Sequence, residues 1–261
     1  MSKDLILCET RNGVATITLD NPPLNLVTLE LTRQLGRTLD ALAQDEDVRV
    51  LVLTGSGERA FCAGSDLTEF ADMMAPGQVV PKKLARENET YSKLDDFPKP
   101  TIAAVSGLAF GGGLELAVCC DLIVVEEHTR LCLPEIKLGV FPGSGGTVRV
   151  TRRIGEGRAK EMMFFGEPID AATALSWGLV NRVVARGQSL RTAQDMAAVL
   201  AERPNRALRL CKAAVDLSFD TTEDQAVSRS LDLSDQAFST ADCREGVRAF
   251  FAREKPRFSH T

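Results

Sequence analysis

Two glutamates stand where a carboxylate is hardest to keep. Glu115 lies in Leu108-Ala-Phe-Gly-Gly-Gly-Leu-Glu-Leu-Ala-Val-Cys-Cys120, and Glu135 in Leu131-Cys-Leu-Pro-Glu-Ile-Lys-Leu-Gly-Val-Phe-Pro-Gly143. A carboxylate among apolar neighbours is costly unless it is paired or its pKa shifts. Proton chemistry is a common reason to keep one there. Burial raises such a pKa above about 4.3, whereas a helix N-terminus nearby favours the ionised form. Singly, each residue is as well explained by a helix start or a strand edge. Together, two carboxyl groups sharing one water can serve as base and acid at the two ends of one addition.

The glycines before Glu115 narrow the chemistry. Gly111-Gly-Gly113 fails as a dinucleotide-binding fingerprint because Leu116 occupies the sixth position, and no Gly-Lys-Ser/Thr phosphate loop occurs. What remains is a tight strand-to-helix turn, or a turn that lets a substrate approach the backbone so that the Gly112 N–H stabilises an oxyanion. On the glycines alone the packed turn is the better reading. A second donor is available in Arg59-Ala-Phe-Cys-Ala-Gly-Ser-Asp66. Ala63 and Leu67 flank Ser65 where a nucleophile elbow needs glycines, so Ser65 contributes its backbone N–H and its hydroxyl is incidental.

Composition removes competing mechanisms. The chain has two histidines, His128 and His260, and His128 sits in the polar turn Glu126-Glu-His-Thr-Arg130, which excludes histidine-centred catalysis and histidine-rich metal sites. Seven cysteines without a Cys-x-x-Cys pair read as small buried hydrophobes in a reducing compartment. A net charge of −5 with scattered arginines argues against nucleic acid. No apolar run is long enough for a membrane span, and the N-terminus lacks a signal peptide's apolar stretch, so the expected location is cytoplasmic.

These residues need elements to position them. A hairpin is expected from Leu5–Cys8, a turn at 11–13 and Val14–Leu19, then a helix with Leu31, Leu35, Leu39 and Leu42 inward, then a strand over 48–54. The stretch 68–78 has no clear period and reads as mobile, and 82–96 is a polar, helix-compatible segment. Strands at 101–105 and 121–125 bracket the helix carrying Glu115, an alternation that argues an α/β fold with largely parallel pairing. From 192 onward only helices are expected: 193–202, 207–217, one with a capping box at Thr222-Glu-Asp-Gln225, and 242–253 with Val247, Phe250 and Phe251 on its apolar face.

The segments Phe61–Asp66, Ile102–Ala117, Cys120-Asp121 and Pro134–Thr147 closely resemble the crotonase superfamily, the enoyl-CoA hydratases and isomerases. The resemblance continues through 166–171 and 174–181 to the tail at 251–258. It implies a spiral of ββα units over 1–191 carrying the active site, and a C-terminal helical trimerisation region over 192–261. It also implies a homotrimer or dimer of trimers, an acyl-CoA thioester substrate, a role in fatty-acid metabolism such as β-oxidation, and no metal or other cofactor. Carried over by position, Ser65 and Gly112 supply the oxyanion-hole N–H groups, Ala63, Asp66 and Leu67 line the CoA side, and Glu115 and Glu135 are the acid/base pair. The hydratases often carry lysines near the CoA phosphates; here Arg59 keeps one charge, Leu24 and Thr68 stand at two such positions, and Lys255 is available from the tail. The expected reaction is hydration of a 2-enoyl-CoA. A Δ3,Δ2-enoyl-CoA isomerase, another acyl-CoA reaction, or a non-catalytic acyl-CoA-binding scaffold are the alternatives.

Overall fold

The computed structural model describes residues 3–260. The chain opens with the hairpin β1 (Ile6–Arg11) and β2 (Val14–Leu19), paired antiparallel. Asn12 and Gly13 both have positive φ, 52° and 81°, the backbone that a two-residue hairpin turn requires. Helix α1 (Leu29–Gln44) is capped by Thr28, whose side chain accepts from the Leu31 N–H, and it buries the four expected leucines.

Then the spiral begins. Strands β3 (Val50–Gly55), β5 (Thr101–Val105), β7 (Leu122–Glu126) and β10 (Arg182–Val184) add in parallel to β2, completing a six-stranded sheet in the order β1-β2-β3-β5-β7-β10. After three of them the chain makes a short strand in a second sheet: β4 (Ala60–Cys62), β6 (Leu108–Phe110) and β8 (Arg130–Cys132) run parallel, with β9 (Ile169–Asp170) antiparallel at the edge. Helices α2 (Ala85–Asp95) and α3 (Gly112–Ala117) close two of these turns, and α4 (Gly146–Ile154), α5 (Glu156–Phe165) and α6 (Ala171–Trp177) fill the chain between β8 and β10. This is the expected ββα spiral.

The large sheet is covered on both faces, as parallel strands require. Leu51 and Leu53 face the main core with α1, while Val50, Val52, Ile102 and Val124 face α7 (Ser189–Ala201) through Ala193, Ala197 and Ala201. The all-helical part therefore starts at Ser189, and its first helix belongs to the packing of the sheet. Helices α8 (Asn205–Asp220), α9 (Glu223–Phe238) and α10 (Ala241–Ala252) follow, leaving Val215, Phe219, Leu231, Phe238, Phe250 and Phe251 exposed. Helix α9 does start after Thr222, but the Thr222 side chain makes no capping bond, so the expected capping box is not formed. Among the described residues no helix is long and apolar enough to cross a membrane. The stretch 68–78, which reads as mobile and without a period in the sequence, overlaps a 3-10 helix at Leu67–Met73.

Candidate active site

The parallel pairing of β4, β6 and β8 brings three distant segments to one place. The loop 63–66 leaves the C-terminal end of β4, the three glycines leave β6, and Glu135 leaves β8 as the first residue of a 3-10 helix, Glu135–Leu138. Ligand sites in parallel sheets form at such carboxyl ends.

Each glycine meets a different constraint. Gly111 has φ 50° and ψ −126°, and a Cβ there would lie 2.7 Å from Glu135 Oε1. At Gly113 a Cβ would fall 2.1 Å from the Cys62 carbonyl oxygen, so α3 packs its backbone directly on β4. Gly112 is the first residue of α3, where no earlier helical carbonyl can take its N–H. A Cβ on it would be 3.7 Å from the Ser65 N and 3.3 Å from the Ser65 Oγ. The loop is tied to residues 24–27 by Ala63 N to Leu24 O, Val27 N to Gly64 O and Asp66 N to Val27 O, bonds in which the Ser65 N–H takes no part. A Cβ on Gly64 would likewise lie 3.8 Å from the Gly112 N, so the turn at 63–66 and the glycine turn lie side by side. Asp66 accepts from the Thr68 N–H and hydroxyl as the cap of the 3-10 helix, which holds its carboxyl below the usual range, and Leu67 is exposed beside it.

Glu115 is buried on α3. Its Oε1 accepts from the backbone N–H groups of Ser144 and Gly146, each at 2.8 Å, at the start of α4. A helix N-terminus does face this carboxylate, as expected, but it belongs to α4 and not to Glu115's own helix. Burial outweighs those two bonds: desolvation, followed by the charge of Glu135, pushes Glu115 up from 4.5 to about 7. Glu135 is partly buried, also pushed up by desolvation, and its Oε2 has no hydrogen-bond partner. The two carboxyl groups are close enough to influence each other, and burial makes both hold a proton more tightly than an ordinary carboxylate, which suits acid–base work.

The helical segment expected over 82–96 forms as α2, and its part in bracing this site is what sequence reading missed. One face of α2 carries Glu87, Asn88, Tyr91, Ser92 and Asp95 toward the site. Asn88 Nδ2 donates to Gly143 O at 2.8 Å, and the Ser144 hydroxyl donates to Glu87 Oε2 at 2.6 Å. The Tyr91 hydroxyl donates to Gly112 O at 3.0 Å, and burial raises its pKa, keeping it a donor. Arg149 of α4 binds Asp95 and Ser92. Lys83 and Glu87 form an ion pair of 3.1 Å with both side chains fully buried. The signal was present: Lys83, Glu87, Tyr91 and Leu94 recur at helical spacing, so the inward Tyr91 and Leu94 already placed the two charges on the inner face. Lys255, considered for phosphate, sits in an exposed pair with Glu202. Among the described residues no cluster of His, Cys, Asp and Glu could hold a metal ion.

The profile of the enoyl-CoA hydratase/isomerase family matches residues 9–261. The chain is 32% identical over 257 residues to the short-chain-enoyl-CoA hydratase of Clostridium acetobutylicum, covering 98% of this chain and 97% of that one. It is 32% identical over 264 residues to the crotonyl-CoA hydratase of Syntrophomonas wolfei, with 99% of each covered. Its fold matches the crystal structure of an enoyl-CoA hydratase from Bacillus anthracis with a TM-score of 0.94 at 32% identity, over 99% of this chain and 100% of that chain.

Proposed function

The chain belongs to the enoyl-CoA hydratase/isomerase family, and from that premise we propose that it is an enoyl-CoA hydratase, a hydro-lyase acting on a 2-enoyl-CoA thioester. The observation that carries this reading is the pairing of two proton-affine carboxyl groups, Glu115 and Glu135, beside the Ser65 and Gly112 N–H groups. In the proposed reaction those N–H groups bind the thioester oxygen and draw electron density from the C2–C3 double bond, making C3 electrophilic. The oxygen of a water held by the two glutamates bonds to C3 while one carboxylate takes its proton. A carboxylic acid of the pair delivers a proton to C2, and the thioester carbonyl is restored. Every charge and proton in this redox-neutral addition is met by chain, water and substrate, so coenzyme A enters as part of the substrate and no separate cofactor is needed.

Ala63, Asp66 and Leu67 border the Ser65 donor and form the proposed CoA side of the loop. The exposed apolar residues of α8–α10 support assembly as a trimer or dimer of trimers, because so much apolar surface is unusual on an isolated chain. The cysteines are free, in keeping with the proposed cytoplasmic location. Product analysis after incubation with crotonyl-CoA and with a 3-enoyl-CoA tests the reading: the expected product of crotonyl-CoA is its 3-hydroxyacyl-CoA. Migration of the double bond without water addition would make the chain an isomerase, and absence of turnover with retained acyl-CoA binding would make it a scaffold.

A further inference from the structure

We infer that Glu87 is a positioning residue that locks the thioester-binding loop and the clamp on Glu115 into one rigid unit. The inference rests on the hydratase reading for what that unit is used for. Glu87 is fully buried on α2 and grips a hydroxyl on either side: Ser65 Oγ donates to its Oε1 at 3.3 Å and Ser144 Oγ donates to its Oε2 at 2.6 Å. Ser65 is the residue whose backbone N lies 3.7 Å from where a Cβ on Gly112 would sit, and Ser144 is the residue whose N–H holds Glu115 Oε1. One carboxylate therefore fixes Ser65, the proposed oxyanion donor, and Ser144, 79 residues further along the chain, which in turn holds the proton-transfer group Glu115.

Behind Glu87 stands Lys83, fully buried, which also donates to Glu69 Oε2 at 2.7 Å and to Val27 O at 3.3 Å. Val27 accepts from Asp66 of the same loop. A buried ion pair is a poor source of stability, since desolvating two charges consumes most of what their attraction returns. Its use here is directional: the charge makes the 2.6 Å bond from Ser144 strong and orients the longer 3.3 Å one from Ser65. Binding the Ser65 hydroxyl to Glu87 also keeps it away from the thioester, so the backbone N–H remains the group that faces the substrate.

The negative charge acts on Glu115 as well. The charged and titratable groups around this unit are Lys83 and Glu69 on one side, Tyr91 on the same helix, Cys62 from β4, Asp66 near Lys83, Arg149 of α4 against the Ser144 carbonyl and paired with Asp95, and Glu115, Cys119 and Glu135 beyond the serines. Cys62 is pushed up to about 12 and Tyr91 and Cys119 also rise by burial, so these three stay neutral through the assay range. Glu87 and Glu135 both favour the protonated form of Glu115.

Glu87→Gln, Glu87→Asp and Ser144→Ala separate placement from charge. Glu87→Gln is expected to lower kcat by about 10²-fold, the scale of a misplaced reacting group, with a smaller change in KM. It should also move whichever limb of the kcat–pH profile reports Glu115 to lower pH. Glu87→Asp keeps the charge and shortens the reach, so the rate falls while the limb stays. Ser144→Ala keeps the N–H to Glu115 and loses the hydroxyl, so the rate falls several-fold with the limb unmoved. A folded Glu87→Gln enzyme with kcat within twofold of the parent and an unmoved limb overturns the inference; if that variant does not fold, kcat within twofold in both others overturns it. Should the parent enzyme fail to hydrate crotonyl-CoA, the hydratase reading fails alone. The carboxyl band of Glu115 in pH-difference infrared spectra, assigned with Glu115→Gln, then decides: a titration shifted downward in Glu87→Gln supports the inference and an unshifted one refutes it.

Discussion

Replacing Glu115 by Gln should make this protein more stable at pH 8 while removing most of its activity. The carboxyl group titrates at about 7 in the folded chain against an ordinary 4.5, chiefly because burial disfavours its charge. A native state that holds a proton more tightly than the unfolded chain loses stability as pH rises between those two values. The interval corresponds to roughly 3 kcal/mol, at about 1.4 kcal/mol per pH unit, fully present as a penalty above the folded value. Gln keeps the shape, and its oxygen can still accept from Ser144 and Gly146. It carries no charge at any assay pH. The stability difference between Gln and Glu should therefore be near zero at pH 4.5 and approach that figure at pH 8. For a chain of this length about 1 kcal/mol moves the melting midpoint by roughly 2–4 °C, so the gain at pH 8 should be about 6–12 °C. Thermal melts of both proteins at pH 5 and pH 8, with turnover measured alongside, make the test. Turnover should fall by about 10²–10⁴-fold. A midpoint difference that is equal at the two pH values, or negative at pH 8, would refute the claim that desolvation controls this carboxyl group.

Neighbouring glycines should fail in different ways. Gly113→Ala places a Cβ 2.1 Å from the Cys62 carbonyl oxygen, backbone that cannot swing aside, and should lower the melting midpoint by the equivalent of about 1–3 kcal/mol despite the better helix propensity of Ala. Gly112→Val meets its first neighbours at 3.3 Å and 3.5 Å, both side-chain oxygens, so cooperative melting should persist while turnover drops by about 10²–10³-fold. Glu135→Gln should also lose hydration sharply in a product assay, and near-full activity in that variant would remove the two-carboxylate mechanism. Sedimentation at micromolar concentration should give a mass that is a multiple of three chains, and a well-behaved monomer would refute the proposed assembly.

Glu115 and Glu135 could be found in the sequence because their immediate neighbours are apolar, which makes a carboxylate anomalous before any fold is known. Glu87 could not be found that way. It is flanked by the polar Arg86, Asn88 and Glu89, and its sequence signal lies only in the helical spacing that puts it on the face of Tyr91 and Leu94. The leucines of α1 and the alternating residues of β2 carried their period in plain form. Strands β4, β6 and β8 have three residues each, too short to hold any period, although the chain leaving their ends carries Ser65, Gly112, Glu115 and Glu135. The Ala193, Ala197 and Ala201 stripe marks a face made for close approach to a sheet, a sign that the last part of the chain does not start as a separate layer. At Thr222 the sequence signal for a cap was present and the side-chain bond was not, although Glu223 and Asp224 do put acidic residues in the first turn.

The way the spiral stacks sets when this chain can first do chemistry. Ala60 pairs with Leu108 and Leu108 with Arg130, so neither pairing can form until the later strand has been made and brought back. During synthesis the first donor loop leaves the ribosome long before the second, and the clamp on Glu115 waits for Gly146. A nascent or partly folded chain therefore lacks the folded setting of both glutamates until β8 has docked and residues 144–146 have closed on Glu115. Contacts of such long sequence separation form slowly, which makes competence a late event on the folding pathway and ties its timing to the docking of β8 on β6.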